Sequence, residues 1–155
     1  MNAKAEKFVK MLKENKIEVF NQEELKDELK TVLFRSAMEI EGQRLPIVVL
    51  IDDSIYVICR TLVAGKCVDE ANRAEVYQHL NFLNSSYKTF KYFVPENGEI
   101  VMDVCLPTTN EQFEPNMVRA LIDMSVKNLE ENYRKLMKIV WGNAGEKKAQ
   151  EQAAQ

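Results

Sequence analysis

The sequence predicts an α+β domain in which helices flank a set of antiparallel strands. Apolar residues recur at helical spacing towards both ends of the chain. They alternate at a spacing of two between Thr31 and Ile40, and an Asn97-Gly98 pair separates two further apolar runs. With 155 residues the chain has the size of one domain. That domain is assigned to residues 1–142, and the polar tail over 143–155, which has no apolar stripe, is expected to be disordered.

Ala5, Phe8, Val9 and Leu12 stand at i, i+3, i+4 and i+7, which places a first amphipathic helix over residues 3–15. Residues 17–30 show no clear period. Glu23 to Lys30 fits one or two helical turns, with Glu23-Glu24 on a solvated face. From Thr31 the period becomes two. Val32, Phe34, Ser36, Met38 and Ile40 share one face, as in a half-buried antiparallel strand.

Gly42-Gln43-Arg44 reads as a turn into a second strand, Leu45 to Ile51, with Pro46 near its start where a missing N–H does least harm. Asp52-Asp53-Ser54 reads as a tight turn. The third strand, Ile55 to Val63, is apolar on both faces. It is expected to be central, or covered by a helix on each side.

Asp69 is the expected N-cap of a second helix, because its carboxylate can accept first-turn N–H groups. Val76, Leu80 and Leu83 form that helix's main stripe, and Ala71, Ala74, Tyr77 and Phe82 form a second apolar flank. A hairpin follows, Phe90 to Val94 and Ile100 to Leu106, turning at Asn97-Gly98. Pro107 ends it. Pro115 suits the first turn of a last helix, whose stripe is Val118, Ile122, Ser125, Leu129, Tyr133, Leu136 and Val140. Leu121, Val126, Met137 and Trp141 widen the stripe, and Gly142 is the expected C′ residue. Over residues 115–141, at 1.5 Å per residue, this helix is roughly 40 Å long, the width of the whole domain.

The net charge is −3, with acids and bases interleaved, as in Glu131-Asn132-Tyr133-Arg134-Lys135. That pattern gives no cationic track for phosphates, so nucleic acid is excluded as a partner. No apolar run approaches the ~20 residues that span a bilayer, so no membrane partner is expected. The three cysteines lack CxxC spacing and are expected to be reduced thiols of a soluble, cytoplasmic protein. Cys59 and Cys105 are expected to be buried, and Cys67, in a loop, to be the most reactive.

The lone histidine, His79, is expected at a polar surface or interface. No phosphate-cradling glycine motif, nucleophile elbow or metal-ligand spacing occurs. The expectation is therefore no catalytic residue, no cofactor and no metal; the chain is not expected to be an enzyme.

The order of elements is helix, three antiparallel strands, helix, two strands, long helix. With Thr31-Val32-Leu33-Phe34-Arg35 leading to Leu45-Pro46-Ile47-Val48-Val49-Leu50, this order resembles the YbjN-like family, whose fold is that of type III secretion chaperones. Ala71-Asn72-Arg73 through Asn81-Phe82-Leu83-Asn84, Lys91-Tyr92-Phe93-Val94 and Gly98-Glu99-Ile100-Val101-Met102 carry the resemblance further, over about Ala3 to Trp141. The resemblance implies a homodimer that binds an extended protein segment along apolar grooves, or a regulatory role.

Together these readings predict a non-enzymatic protein- or peptide-binding domain, chaperone-like or regulatory. The candidate partner or dimer contacts are Val76, Tyr77, Leu80 and Leu83 on the second helix, with Met117 and Met124 off the main stripe of the last. The alternative is a small-molecule sensor or motif-free enzyme with a pocket between the sheet and the last helix.

Overall fold

The computed structural model describes residues 1–154, without the side chains of 143–152. Nine elements follow in order: α1 (Ala3–Glu14), β1 (Asn21–Glu24), β2 (Val32–Ile40), β3 (Gln43–Ile51), β4 (Tyr56–Ala64), α2 (Arg73–Ser86), β5 (Phe90–Phe93), β6 (Ile100–Pro107) and α3 (Pro115–Ala153). The α+β class and the order of helices match the sequence reading. The strands form one antiparallel sheet in the order β1-β2-β3-β4-β6-β5.

The sheet has one strand more than expected. β1 pairs with β2 from Asn21↔Arg35 to Glu24↔Val32, although all four of its residues are exposed. An Asn-Gln-Glu-Glu stretch has no apolar alternation to betray a strand, and its acids suit an edge that must resist pairing with other chains. Glu23 and Glu24 therefore lie on a strand rather than a helical face. The expected helical turns over 23–30 are replaced by a loop, in which Asp27 Oδ1 accepts the Thr31 N–H at 2.8 Å.

β2 and β3 are joined by Glu41 and Gly42 alone, both at positive φ (49° and 76°), as a two-residue hairpin with the sheet's twist requires. Arg134 of α3 holds Glu41 at 2.6 Å. Pro46 is not at the start of its strand but inside it, opposite Ala37; the ladder to β4 begins one residue later, at Ile47↔Thr61. In the β5–β6 turn Gly98 has φ 79°, and a Cβ there would meet the Val68 carbonyl at 2.7 Å. The Gly98 carbonyl accepts the Cys67 and Val68 N–H groups, so this turn anchors the loop that leads into α2.

All three helices pack on one face of the sheet. Phe8 of α1 meets Phe34 edge-to-face at 4.9 Å. Val76, Leu80 and Leu83 of α2 and Val118, Leu129, Leu136 and Val140 of α3 join the same core with Val49, Val57, Met102 and Val104. Asn2 caps α1 by accepting the Ala5 N–H, while its amide donates to the Lys30 and Ile51 carbonyls. The buried Lys4 amine donates to the Ser54 carbonyl, which fixes the turn that Asp52 closes through the Ser54 N–H.

Two helix ends differ from expectation. Asp69 accepts the Ala71 and Asn72 N–H groups in a turn that precedes α2, and the helix itself starts at Arg73 with Asn72 as N-cap. Gly142 does not end α3. The helix runs through it to Ala153, roughly 58 Å for 39 residues at 1.5 Å each. The tail expected over 143–155 falls mostly on residues outside the described side chains.

Candidate functional site

The alternation that fills the core puts the other half of each strand on a face that, among the described residues, no helix covers. On β2, β3 and β4 this open face carries Arg35, Ala37, Pro46, Val48, Leu50, Tyr56, Ile58, Arg60 and Leu62. Val48, Leu50, Ile58 and Leu62 are half-buried, shielded by neighbouring strands rather than by a second layer. Leu33 and Val101, also on this side, are buried yet lie outside the main core cluster. Tyr56 and the adjoining Ile55 are 46% and 56% exposed. Of the two placements expected for the third strand, the central one holds: β4 lies between β3 and β6, and its outer face is bare. An antiparallel sheet that faces solvent normally alternates apolar-in with polar-out. This one keeps aliphatic side chains on both faces.

Near its centre, Arg60 Nε and Nη2 donate to Asp103 Oδ1 and Oδ2 at 2.8 Å each. Asp103 is 4% exposed, so this carboxylate is sealed under the guanidinium. Its hydrogen bond holds the Arg60 pKa above the usual value, against the opposing effect of burial. The Phe93 ring supports two cations, with Arg60 at 5.7 Å and Lys91 at 5.2 Å from its centroid.

Arg35 and Arg60 stand on either side of Val48 in the cross-strand register. With Pro46, Leu62, Glu99 and Val101 they line a hollow of about 270 Å³. A broader trough of about 770 Å³ lies where α3 meets the β2–β3 turn, lined by Tyr133, Met137 and Trp141 beside the Arg134–Glu41 pair.

The contact residues expected from the sequence divide. Val76, Leu80 and Leu83 are between 0 and 4% exposed, so they are spent on the domain's own core and are not a partner surface. Their spacing gave an apolar stripe correctly; it could not say what covers the stripe. Tyr77, Met117 and Met124 are exposed, at 47, 47 and 45%. They lie on the helical layer, away from the open sheet face, and the structure does not bring them together with it.

His79 is buried rather than on the surface. It is 8% exposed, stacked near Phe82 at 6.1 Å, and its Nε2 has no hydrogen-bond partner. Burial, then the nearby Lys135 cation, lowers its pKa. Asp103 is on the opposite side of the sheet, so the two groups do not converge on one site. Cys59 is buried, as expected, and burial pushes its thiol up to about 12. Cys105 is exposed on the open face, contrary to expectation, while Cys67 is only half-buried. Alternation places Cys105 opposite Ile58, and the uncovered face leaves it in solvent.

Among the described residues no group of three His, Cys, Asp or Glu side chains is placed to hold a metal ion, and no helix is long and apolar enough to cross a membrane. No protein-family model matches the chain, and no curated protein matches it.

Proposed function

We propose that this chain is a binding domain without catalysis of its own, and that it holds a protein partner against the uncovered face of its sheet. One observation carries the reading: Val48, Leu50, Ile58 and Leu62 give β3 and β4 a second apolar face with no layer over it. Covering that face would remove aliphatic surface from water, at roughly 25 cal/mol per Å². The order of elements, which resembles that of the YbjN-like and type III secretion chaperones, supports a holding or regulatory role. Reduced thiols and a mixed-charge surface suit a cytoplasmic setting.

The alternative pocket between sheet and last helix has less to support it. That layer is filled by Leu129 and Leu136 of α3 against Met102 and Val104, all 0–1% exposed. Any contact between two copies through α2 would rest on Tyr77 and Phe82, because the main α2 stripe is internal.

The test is affinity capture from an extract of the native cells, with Ile58→Glu and Tyr77→Glu compared against the parent protein. The reading expects a partner that is lost with Ile58→Glu and kept with Tyr77→Glu. The reverse pattern would move the working surface to the helical layer.

A further inference from the structure

A separate hollow lies on the helical side of the sheet, away from the open face. The irregular stretch 17–20 crosses from the end of α1 to the start of β1, and α3 runs past it. Between them is a cleft of about 160 Å³, walled by Phe8, Met11 and Leu12 of α1, Ile17 and Phe20 of the crossing, and Ile122 of α3. Phe8 forms its floor: it is 1% exposed, and Phe20 and Phe34 meet it edge-to-face at 5.9 and 4.9 Å. Val19, at the lip, stands 65% exposed.

Two charges complete the lining, Arg119 and Asp123, one turn apart on the exposed side of α3. Side chains at this spacing are neighbours and commonly pair. These two do not. Among the described residues, neither side chain has an ion pair or a hydrogen bond, with the other or with any group. The apolar cleft thus carries one cation and one anion, both uncommitted. Their charges sum to zero, so nothing there favours a simple anion or a simple cation. What they match is a molecule with both signs on one small head.

We propose that this cleft binds a free apolar α-amino acid. Its carboxylate lies on Arg119 and its ammonium on Asp123, with a charge-assisted hydrogen bond at each. Both groups hang from one carbon, so the side chain on that carbon is free to enter the cleft. A cavity of about 150 Å³ with aliphatic and aromatic walls holds a benzene ring. A side chain up to the size of benzyl therefore fits, and a ring there can meet Phe8 and Phe20 edge-to-face, as they meet each other. Glycine has nothing to bury in the cleft, and a peptide does not carry both charges on one carbon.

The test is titration of the isotope-labelled full chain with L-phenylalanine while backbone amide shifts are followed. Shifts are expected on α1, on residues 17–20 and on α3 around residues 118–123. Phenethylamine and 3-phenylpropionate each lack one of the two charges and are expected to bind about tenfold more weakly. Arg119→Gln is expected to bring L-phenylalanine down to the level of phenethylamine, and Asp123→Asn to that of 3-phenylpropionate. Both positions are exposed, so the fold is kept. Equal binding of all three ligands at this cleft would overturn the inference. So would shifts located elsewhere, or none with L-phenylalanine at about 10 mM. The reading of the open sheet face is independent of these outcomes, because that face lies on the other side of the sheet.

Discussion

The side-chain amide of Asn84 donates to the Tyr92 carbonyl at 3.0 Å and accepts the Tyr92 N–H at 2.8 Å, so a residue of α2 pairs with β5 much as another strand would. β5 is one edge of the sheet and only four residues long. With both backbone groups of Tyr92 answered by Asn84, this edge offers little to an added strand. The opposite edge, β1, carries Glu23 and Glu24. Both edges are protected while the flat face is not, so under the proposed function the face is the surface left for a partner.

Asn84→Ala removes both of these bonds and leaves the Tyr92 N–H and carbonyl to water or to another chain. The expected loss is about 1–2 kcal/mol, read as a lower midpoint in urea at unchanged slope. The same variant is expected to associate at high concentration, seen by light scattering, because its β5 edge is unguarded.

The Arg60–Asp103 pair is expected to show coupling in a double-mutant cycle. Arg60→Met alone leaves a carboxylate that is 4% exposed without its partner and costs about 2–3 kcal/mol. Adding Asp103→Leu is expected to restore most of that loss, since an apolar pair fits the rows on either side. Urea unfolding of the two single variants and the double variant measures it.

Stability is expected to fall on the acid side through His79. Its folded pKa lies below the unfolded value of about 6.5, so the unfolded chain binds the proton better. The contribution is complete above about pH 6.5 and is lost as pH drops below it. Glu75 and Lys135 line the cleft beside it, and protonation would put a second cation beside Lys135. His79→Gln is expected to flatten the profile below about pH 6.5 in thermal melts, whereas an unchanged slope would place the acid sensitivity elsewhere.

The three thiols are expected to react in sequence with a chromogenic disulfide reagent. Cys105 is exposed and reacts first, although burial, the largest influence on it, raises its pKa. Cys67 follows more slowly, since burial also raises its thiol. Cys59, fully covered and pushed up to about 12, is expected to react only on unfolding. A first reaction at Cys67 would contradict an uncovered sheet face.

Much of the fold was legible because it is written in periods. The alternation from Val32 to Ile40 and the stripe from Val118 to Val140 each name a buried face, and both faces are buried where expected. β1 was illegible because its four polar residues earn their strand conformation only by pairing with β2. Gly142 reads as a helix end because glycine is common just past one, yet the helix continues, since a glycine costs its interior only ~1 kcal/mol, too little to stop it by itself. The candidate site was half legible. Apolarity on both faces of Ile55 to Val63 was the signal, but periodicity cannot say whether a second face is covered by this chain or left for another. The same ambiguity explains why Val76, Leu80 and Leu83 read as contact residues yet lie in the core.

Docking of a partner on the open sheet face is tested most directly by site-specific photo-crosslinking in the native cells. A photo-reactive phenylalanine analogue is placed at the position of Ile58 in one variant and of Tyr77 in another. A discrete adduct with another protein is expected from position 58 and none from position 77. An adduct from position 77 with none from position 58 would contradict it.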